Sequence, residues 1–167
     1  WVMAGHDISA GGVLTTLLEM CFANTRGGLH INLHNLNSTD VVKTLFAENP
    51  GVIIQVSDAH KYELRDYLED MGVGYAKIGY PVPGSRDIVV KNGDWEHTFD
   101  IDALRDVWYR TSYLLDRKQS RNGKARERYD NYKQQPVEIR LPQRFSGRLS
   151  QWGLHADRRE ASGIKAA

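Results

Sequence analysis

Apolar positions along this chain fall into helical spacing in four stretches. From Gly11 to Ala23, Val13, Leu14, Leu17, Leu18 and Cys21 line one face of a helix. A shorter helix carries Val41, Val42, Leu45 and Phe46, with Ser38-Thr39-Asp40 as its cap. A third places Leu64, Tyr67, Leu68 and Met71 on one side, capped by Ser57 or Asp58 and ended by Gly72. The fourth, Ile101 to Gln119, aligns Ile101, Leu104, Trp108, Thr111 and Leu115. Strand patterns lie between them. Leu29 to Leu33 alternates apolar residues with His30 and Asn32, which predicts a half-buried strand. Asn49-Pro50-Gly51 breaks the chain, and Val52-Ile53-Ile54-Gln55-Val56 then predicts a central strand, β-branched and almost wholly apolar. Tyr75 to Tyr80 precedes the turn chemistry of Pro81-Val82-Pro83-Gly84. Asp87 to Lys91 and Asp94 to Phe99 form a hairpin across Asn92-Gly93. The order of elements predicts an α/β (α+β) fold: a mixed sheet with helices packed mainly on one side.

From Ser120 the pattern changes. Ser120 to Pro142 mixes Arg121, Lys124, Arg126, Arg128, Lys133 and Arg140 with Glu127, Asp130 and Glu138, which reads as a solvated helix and linker. Basic residues among tyrosines can also contact RNA, but the aromatics here form no repeated platform. Phe145 to Ala167 has little regular pattern and is expected to be an extended segment lying on a neighbouring domain. The chain therefore divides at about residue 120, into 1–119 and 120–167.

Composition narrows the function classes. The chain has 167 residues, 41% hydrophobic and 26% charged, with a net charge of +1, so it makes no overall electrostatic case for nucleic acid. It shows no secretory signal and no apolar run long enough to cross a membrane. The single Cys21 falls among apolar helix neighbours, where it is expected to pack in the core, and a reducing cytoplasm is the natural expectation.

The most informative stretch is Gly5-His6-Asp7-Ile8-Ser9-Ala10-Gly11-Gly12, which opens directly into the first helix. A glycine-bearing turn at a helix start leaves backbone N–H groups facing outward with partial positive charge, which suits a phosphate. Asp7 could hold a metal ion beside it. The same residues also read as an N-cap, with Ser9 or Asp7 capping and the glycines closing a tight turn. His6 reads as a packing or hydrogen-bonding residue, and Glu19 as a surface or helix-packing carboxylate. His30 and His34 lack the neighbours that a zinc site needs. Cys21 has no nucleophile-type turn around it, so no catalytic residue is assigned.

His6-Asp7, Ser9 and Gly11-Gly12 before an apolar helix resemble the carboxy-terminal domain of the aminoimidazole ribonucleotide synthetase-like superfamily, and within it the long, single-chain formylglycinamide ribonucleotide amidotransferase (phosphoribosylformylglycinamidine synthase) family. Leu18-Glu19-Met20-Cys21-Phe22-Ala23 resembles its helix continuation, and Glu48-Asn49-Pro50-Gly51 through Val56 its next buried strand. Phe145-Ser146-Gly147, Arg158-Arg159-Glu160 and Gly163-Ile164-Lys165-Ala166-Ala167 resemble the segment leading into the glutaminase domain. The family usually has Asp where this chain has Ala10.

The resemblance implies a nucleotide site that holds ATP or ADP with Mg²⁺. Asp7 would be a metal ligand, and Ser9, Gly11 and Gly12 the nucleotide-contacting positions. It also implies that further synthetase domains precede Trp1 and a glutaminase domain follows Ala167, all serving as partners within one chain. The implied activity is the ATP-dependent, glutamine-using conversion of formylglycinamide ribonucleotide to formylglycinamidine ribonucleotide. The piece alone would be inactive and would self-associate through its open edge. The alternatives are another ATP-using member of the superfamily and a non-enzymatic RNA- or protein-binding module.

Overall fold

The computed structural model describes residues 1–36, 38–134, 140, 143, 146–148 and 150. Trp1–Lys133 forms one compact unit and Gln134–Ala167 a second, of which only isolated positions are described. Most residues of the three carboxy-terminal segments quoted above lie outside the described residues.

The first unit runs β1 (Val2–Asp7), α1 (Gly12–Phe22), β2 (Gly27–Asn32), a 3-10 turn (Leu33–Leu36), α2 (Val41–Phe46), β3 (Val52–Val56), α3 (Lys61–Asp70), β4 (Gly79–Pro83), β5 (Asp87–Asn92), β6 (Trp95–Asp100), α4 (Ile101–Gln119) and α5 (Lys124–Asp130). Local chemistry explains many of the boundaries. Asp40 caps α2, its carboxylate accepting the Lys43 N–H at 2.9 Å, and Asp100 caps α4 by accepting from Ala103 at 2.8 Å. Gly72, at φ +67°, follows α3, and the Val73 N–H returns to the Leu68 carbonyl at 2.9 Å.

Four strands form a mixed sheet in the order β4-β2-β5-β6, with β2 and β5 parallel and the outer pairs antiparallel. The helix α1 lays Leu14, Leu17, Leu18 and Cys21 over Ile31, Ile88 and Val90, and Leu33, Leu45 and Ile101 complete the core. Burial raises the Cys21 thiol above its usual range, partly opposed by Arg86. This is the mixed α/β architecture expected from the pattern.

Two strand details differ from expectation. Pro81 and Pro83 sit inside β4, paired with Leu29 and Gly27, instead of forming a turn. An edge strand tolerates residues that cannot donate a ladder bond, because its outer side has no partner to satisfy. The hairpin turn is Gly93–Asp94, with Gly93 at φ +59°; Asn92 ends β5 and its side chain donates to the Ser38 carbonyl at 3.0 Å.

The strand Val52–Val56 is not central. Among the described residues β3 pairs only with β1, in a separate antiparallel ribbon, and Val52 is 67% exposed. A β-branched run reports fitness for a pleated surface, and that surface is one-sided here. Along the long helix α4, Ile101 is buried, while Trp108 and Leu115 are more than half exposed.

Residues 120–133 fold back on α4. Asn122 (φ 56°) and Gly123 (φ 74°) reverse the chain, Ala125 is buried, and the Tyr129 hydroxyl donates to the Asp106 carbonyl at 3.1 Å. Arg105, 6% exposed, is the anchor. Its guanidinium lies 3.6 Å from the Tyr132 ring centroid and 4.7 Å from that of Tyr109, and it donates to the Tyr129 carbonyl at 2.9 Å. No helix among the described residues is long and apolar enough to cross a membrane.

Candidate functional site

Asp7 ends β1, opposite Val52 of β3, and the next residue's N–H donates to the Gly51 carbonyl at 2.8 Å. The ribbon thus sets the turn after β1 against the connection that leads into β3. The Asp7 side chain is 75% exposed. Ser9 is also exposed, and its carbonyl accepts the Gly12 N–H at 3.0 Å. Neither side chain caps α1. The cap position is Gly11, at φ +84°, with no side-chain bond to the helix.

The N–H of Gly11 has a different partner. It donates to Oε1 of Glu48, 37 residues away, at 2.9 Å. A carboxylate oxygen therefore occupies the position that partial positive charge at a helix start favours. Glu48 belongs to a stretch singled out only for its resemblance, and nothing in local spacing could have linked it to Gly11. The ribbon register does so.

Gly12 serves packing. At φ +68° its absent Cβ would stand 2.7 Å from the Leu45 carbonyl oxygen and 2.8 Å from the Phe46 carbonyl carbon. The glycine lets the start of α1 press against the end of α2. Behind the turn, the buried Thr16 hydroxyl lies 3.0 Å from the Gly12 carbonyl oxygen and 3.3 Å from that of Asp7, joining the first helical turn to the end of β1.

His6, read from the sequence as a packing or hydrogen-bonding residue, and Glu19, read as a surface or helix-packing carboxylate, are connected. Both ring nitrogens of His6 face oxygens: Nδ1 is 2.8 Å from the Asp7 carbonyl oxygen and 3.4 Å from Asp7 Oδ1, and Nε2 is 3.2 Å from Glu19 Oε2. The other Glu19 oxygen accepts the Trp108 indole N–H at 3.0 Å. His30 is instead 3.3 Å from the Tyr80 hydroxyl.

Among the described residues no group of three or more His, Cys, Asp or Glu side chains is placed to enclose a metal ion. Mg²⁺ commonly takes only one or two carboxylates and completes its shell with phosphate oxygens and water. The exposed Asp7 carboxylate is the candidate for one such ligand.

A second charged centre lies around Asp102, in the first turn of α4. Arg86 Nη2 donates to its Oδ1 at 2.7 Å and the Tyr132 hydroxyl at 2.9 Å, and Lys133 pairs with its Oδ2. Burial alone would raise this carboxyl, but the hydrogen bonds from Arg86, Lys133 and Tyr132 prevail and hold it at about 2. Burial and the bond to Asp102 push Tyr132 up to about 12. Arg86 also donates to the carbonyls of Gly27, at 3.1 Å, and Asn24, beyond the end of α1. Each member is satisfied within the fold, so the centre is structural: it fixes the start of β5, α4 and the residues after α5 together.

Residues 1–92 match the family of AIR synthase related protein, C-terminal domain. Phosphoribosylformylglycinamidine synthase of Homo sapiens is 32% identical over 120 residues, covering 70% of this chain and 9% of that protein. The probable phosphoribosylformylglycinamidine synthase, chloroplastic/mitochondrial, of Arabidopsis thaliana is 35% identical over 119 residues, covering 71% of this chain and 8% of that protein. The chain thus spans less than a tenth of either relative. The solved structure of T. maritima PurL complexed with ATP aligns with a TM-score of 0.53 at 14% identity, over 62% of this chain and 18% of that one, a likeness of fold.

Proposed function

The chain belongs to the family of AIR synthase related protein C-terminal domains, and from that premise we propose that it supplies one wall of a Mg-nucleotide site within a phosphoribosylformylglycinamidine synthase. Asp7 contributes a metal-ligand carboxylate. The Ser9 hydroxyl and the Gly11 amide receive phosphate oxygens, and Gly12 allows the close packing that holds the turn. The single observation supporting this reading is the Gly11–Glu48 bond: the amide at the helix start already takes an anionic oxygen, beside an exposed Asp7 carboxylate.

In the whole synthase, ATP activates an amide oxygen of formylglycinamide ribonucleotide, and ammonia released from glutamine displaces the phosphate. Bound Mg²⁺ would neutralise phosphate charge there. The residues of this chain bind and orient. Among the described residues none is assigned a nucleophile's or an ammonia-releasing role, and those steps are assigned to other domains of the same polypeptide. A cytoplasmic location is part of the same proposal.

RNA binding through residues 120–133 is less well supported, because four of the five basic side chains there are engaged: Arg128 with Asp116, Arg126 with Asp130, Lys124 with Glu127 and Lys133 with Asp102.

Asp7→Asn in the full-length protein tests the reading. The expected result is loss of nucleotide carried through purification and loss of the thermal stabilisation given by Mg-ADP, which for a site at 100-fold saturation is about 2.7 kcal/mol. Unchanged occupancy and unchanged stabilisation would remove Asp7 from the metal shell.

A further inference from the structure

We infer that Trp108 and Glu19 are positioning residues for the Asp7 carboxylate, acting through His6 as a relay from α4 across α1 to the end of β1. The inference rests on the reading of Asp7 as a metal ligand. It goes beyond that reading by giving α4, which contributes nothing to the turn itself, a hold on the ligand's orientation.

The contacts run in one line. The Trp108 indole N–H holds Glu19 Oε1 at 3.0 Å, Glu19 Oε2 stands 3.2 Å from His6 Nε2, and His6 Nδ1 stands 2.8 Å from the Asp7 carbonyl oxygen. Each Glu19 oxygen has its own partner, so the carboxylate is fixed at both ends. The Trp108 ring is fixed in turn against Phe22, with ring centroids 5.1 Å apart. His6 therefore cannot rotate without breaking a contact on either side. With His6 held, the peptide of Asp7 is held, and the imidazole sets how closely the carboxylate, 3.4 Å away, can swing back toward the ribbon. Thr16 restrains the same carbonyl from the helix side. Asp7 itself is mostly exposed, so this backbone grip and the imidazole wall are what aim it. Mutating a residue that orients a ligating side chain typically costs about 10- to 100-fold in metal affinity.

The test compares ADP affinity of the full-length protein with excess Mg²⁺ and in EDTA; the ratio is the magnesium gain. Glu19→Gln presents an NH₂ where a carboxylate oxygen faces His6. Trp108→Phe keeps a ring against Phe22 but removes the donor. Each is expected to cut the magnesium gain about 10-fold, while affinity in EDTA stays unchanged. The double variant is expected to be no worse than the more affected single, because both break one chain of contacts. Asp7→Asn, run alongside, abolishes the gain if the metal reading is right. If Asp7→Asn removes the gain while both relay variants retain it, the relay is overturned and the metal reading stands. If Asp7→Asn leaves the gain intact, the metal reading fails and the relay with it. If the relay variants weaken ADP equally with and without Mg²⁺, they act on the fold at large and the positioning role is overturned. Trp108 is half exposed, so Trp108→Phe decides the matter should Glu19→Gln fail to fold.

Discussion

The Gly11 amide and the Glu48 carboxylate form a bond of 2.9 Å across 37 residues of sequence; on the proposed reading, the ligand's phosphate takes the same amide. Glu48 then competes with the ligand. Glu48→Gln is expected to raise ADP affinity several-fold in EDTA. It should also lower the stability of the ligand-free protein by about 0.3–1 kcal/mol, the usual worth of a carboxylate at a helix start. Calorimetric titration and denaturant melts measure both. A fall in affinity would instead place Glu48 among the ligand's own contacts.

The two glycines of the turn are expected to separate on mutation. Gly12→Ala sets a methyl 2.7–2.9 Å from backbone atoms of Leu45, Phe46 and Ala47, which cannot move alone, on top of a positive φ. Gly11→Ala has the same backbone conflict, but its methyl meets mainly the Thr15 side chain. Gly12→Ala should therefore cost about 2–4 kcal/mol and Gly11→Ala distinctly less. Thermal melts of the two variants check this, and equal losses would contradict it.

The Asp102 centre predicts an acid-sensitive contribution. Its folded value of about 2 lies below the ordinary carboxylate value of about 3.9. The contribution is therefore complete above roughly pH 5 and is lost as pH falls toward 2. With partial exposure and solvent screening it amounts to the order of 1 kcal/mol. Asp102→Asn should lower stability at pH 7 and flatten the decline between pH 5 and 2. Tyr132, held near 12, gives an opposite limb whose contribution is present below about pH 10 and lost as pH rises beyond it. Denaturant midpoints across pH measure both, and an unchanged acid limb in Asp102→Asn would reject the assignment.

Arg105→Lys keeps the charge but loses the planar stacking on Tyr132 and Tyr109. The expected cost is about 1–2 kcal/mol. Because the loss falls on the packing of α5, limited proteolysis should cut between Gln119 and Lys124 faster than in the wild type while α1 stays protected. Parallel rates at both places would show that the stack does not govern this junction.

Local chemistry made the helices readable in advance. Ile101–Gln119 is bounded as the periodicity predicts, Asp40 caps α2, and Gly72 ends α3. Asp7, Ser9, Gly11 and Gly12 were legible as one turn because they are consecutive or nearly so. What escaped the sequence depends on distant pairing. Glu48 reaches Gly11 only through the β1–β3 register, and Glu19 meets Trp108 only because α4 returns to α1. The exposure of Val52 was hidden because a one-sided ribbon and a central strand share the same β-branched composition. Tyr132 fell in a stretch read as solvated, because polar spacing does not reveal its stacking on Arg105.

The β1–β3 ribbon has a consequence for timing. Two strands alone are marginal, and this pair closes only when Val2 meets Val56 and Asp7 meets Val52, with the Trp1, Met3 and Val52 side chains more than half exposed. Its amide protons should therefore exchange by openings much cheaper than those of β2 and β5, whose residues Ile31, Ile88 and Val90 lie in the core. Asp7 sits at the end of that ribbon, so the turn is only as ordered as the ribbon is zipped. Observed affinity at the turn is then the intrinsic affinity multiplied by the zipped fraction. On the proposed reading, whatever clamps the ribbon tightens the nucleotide at its end without touching it.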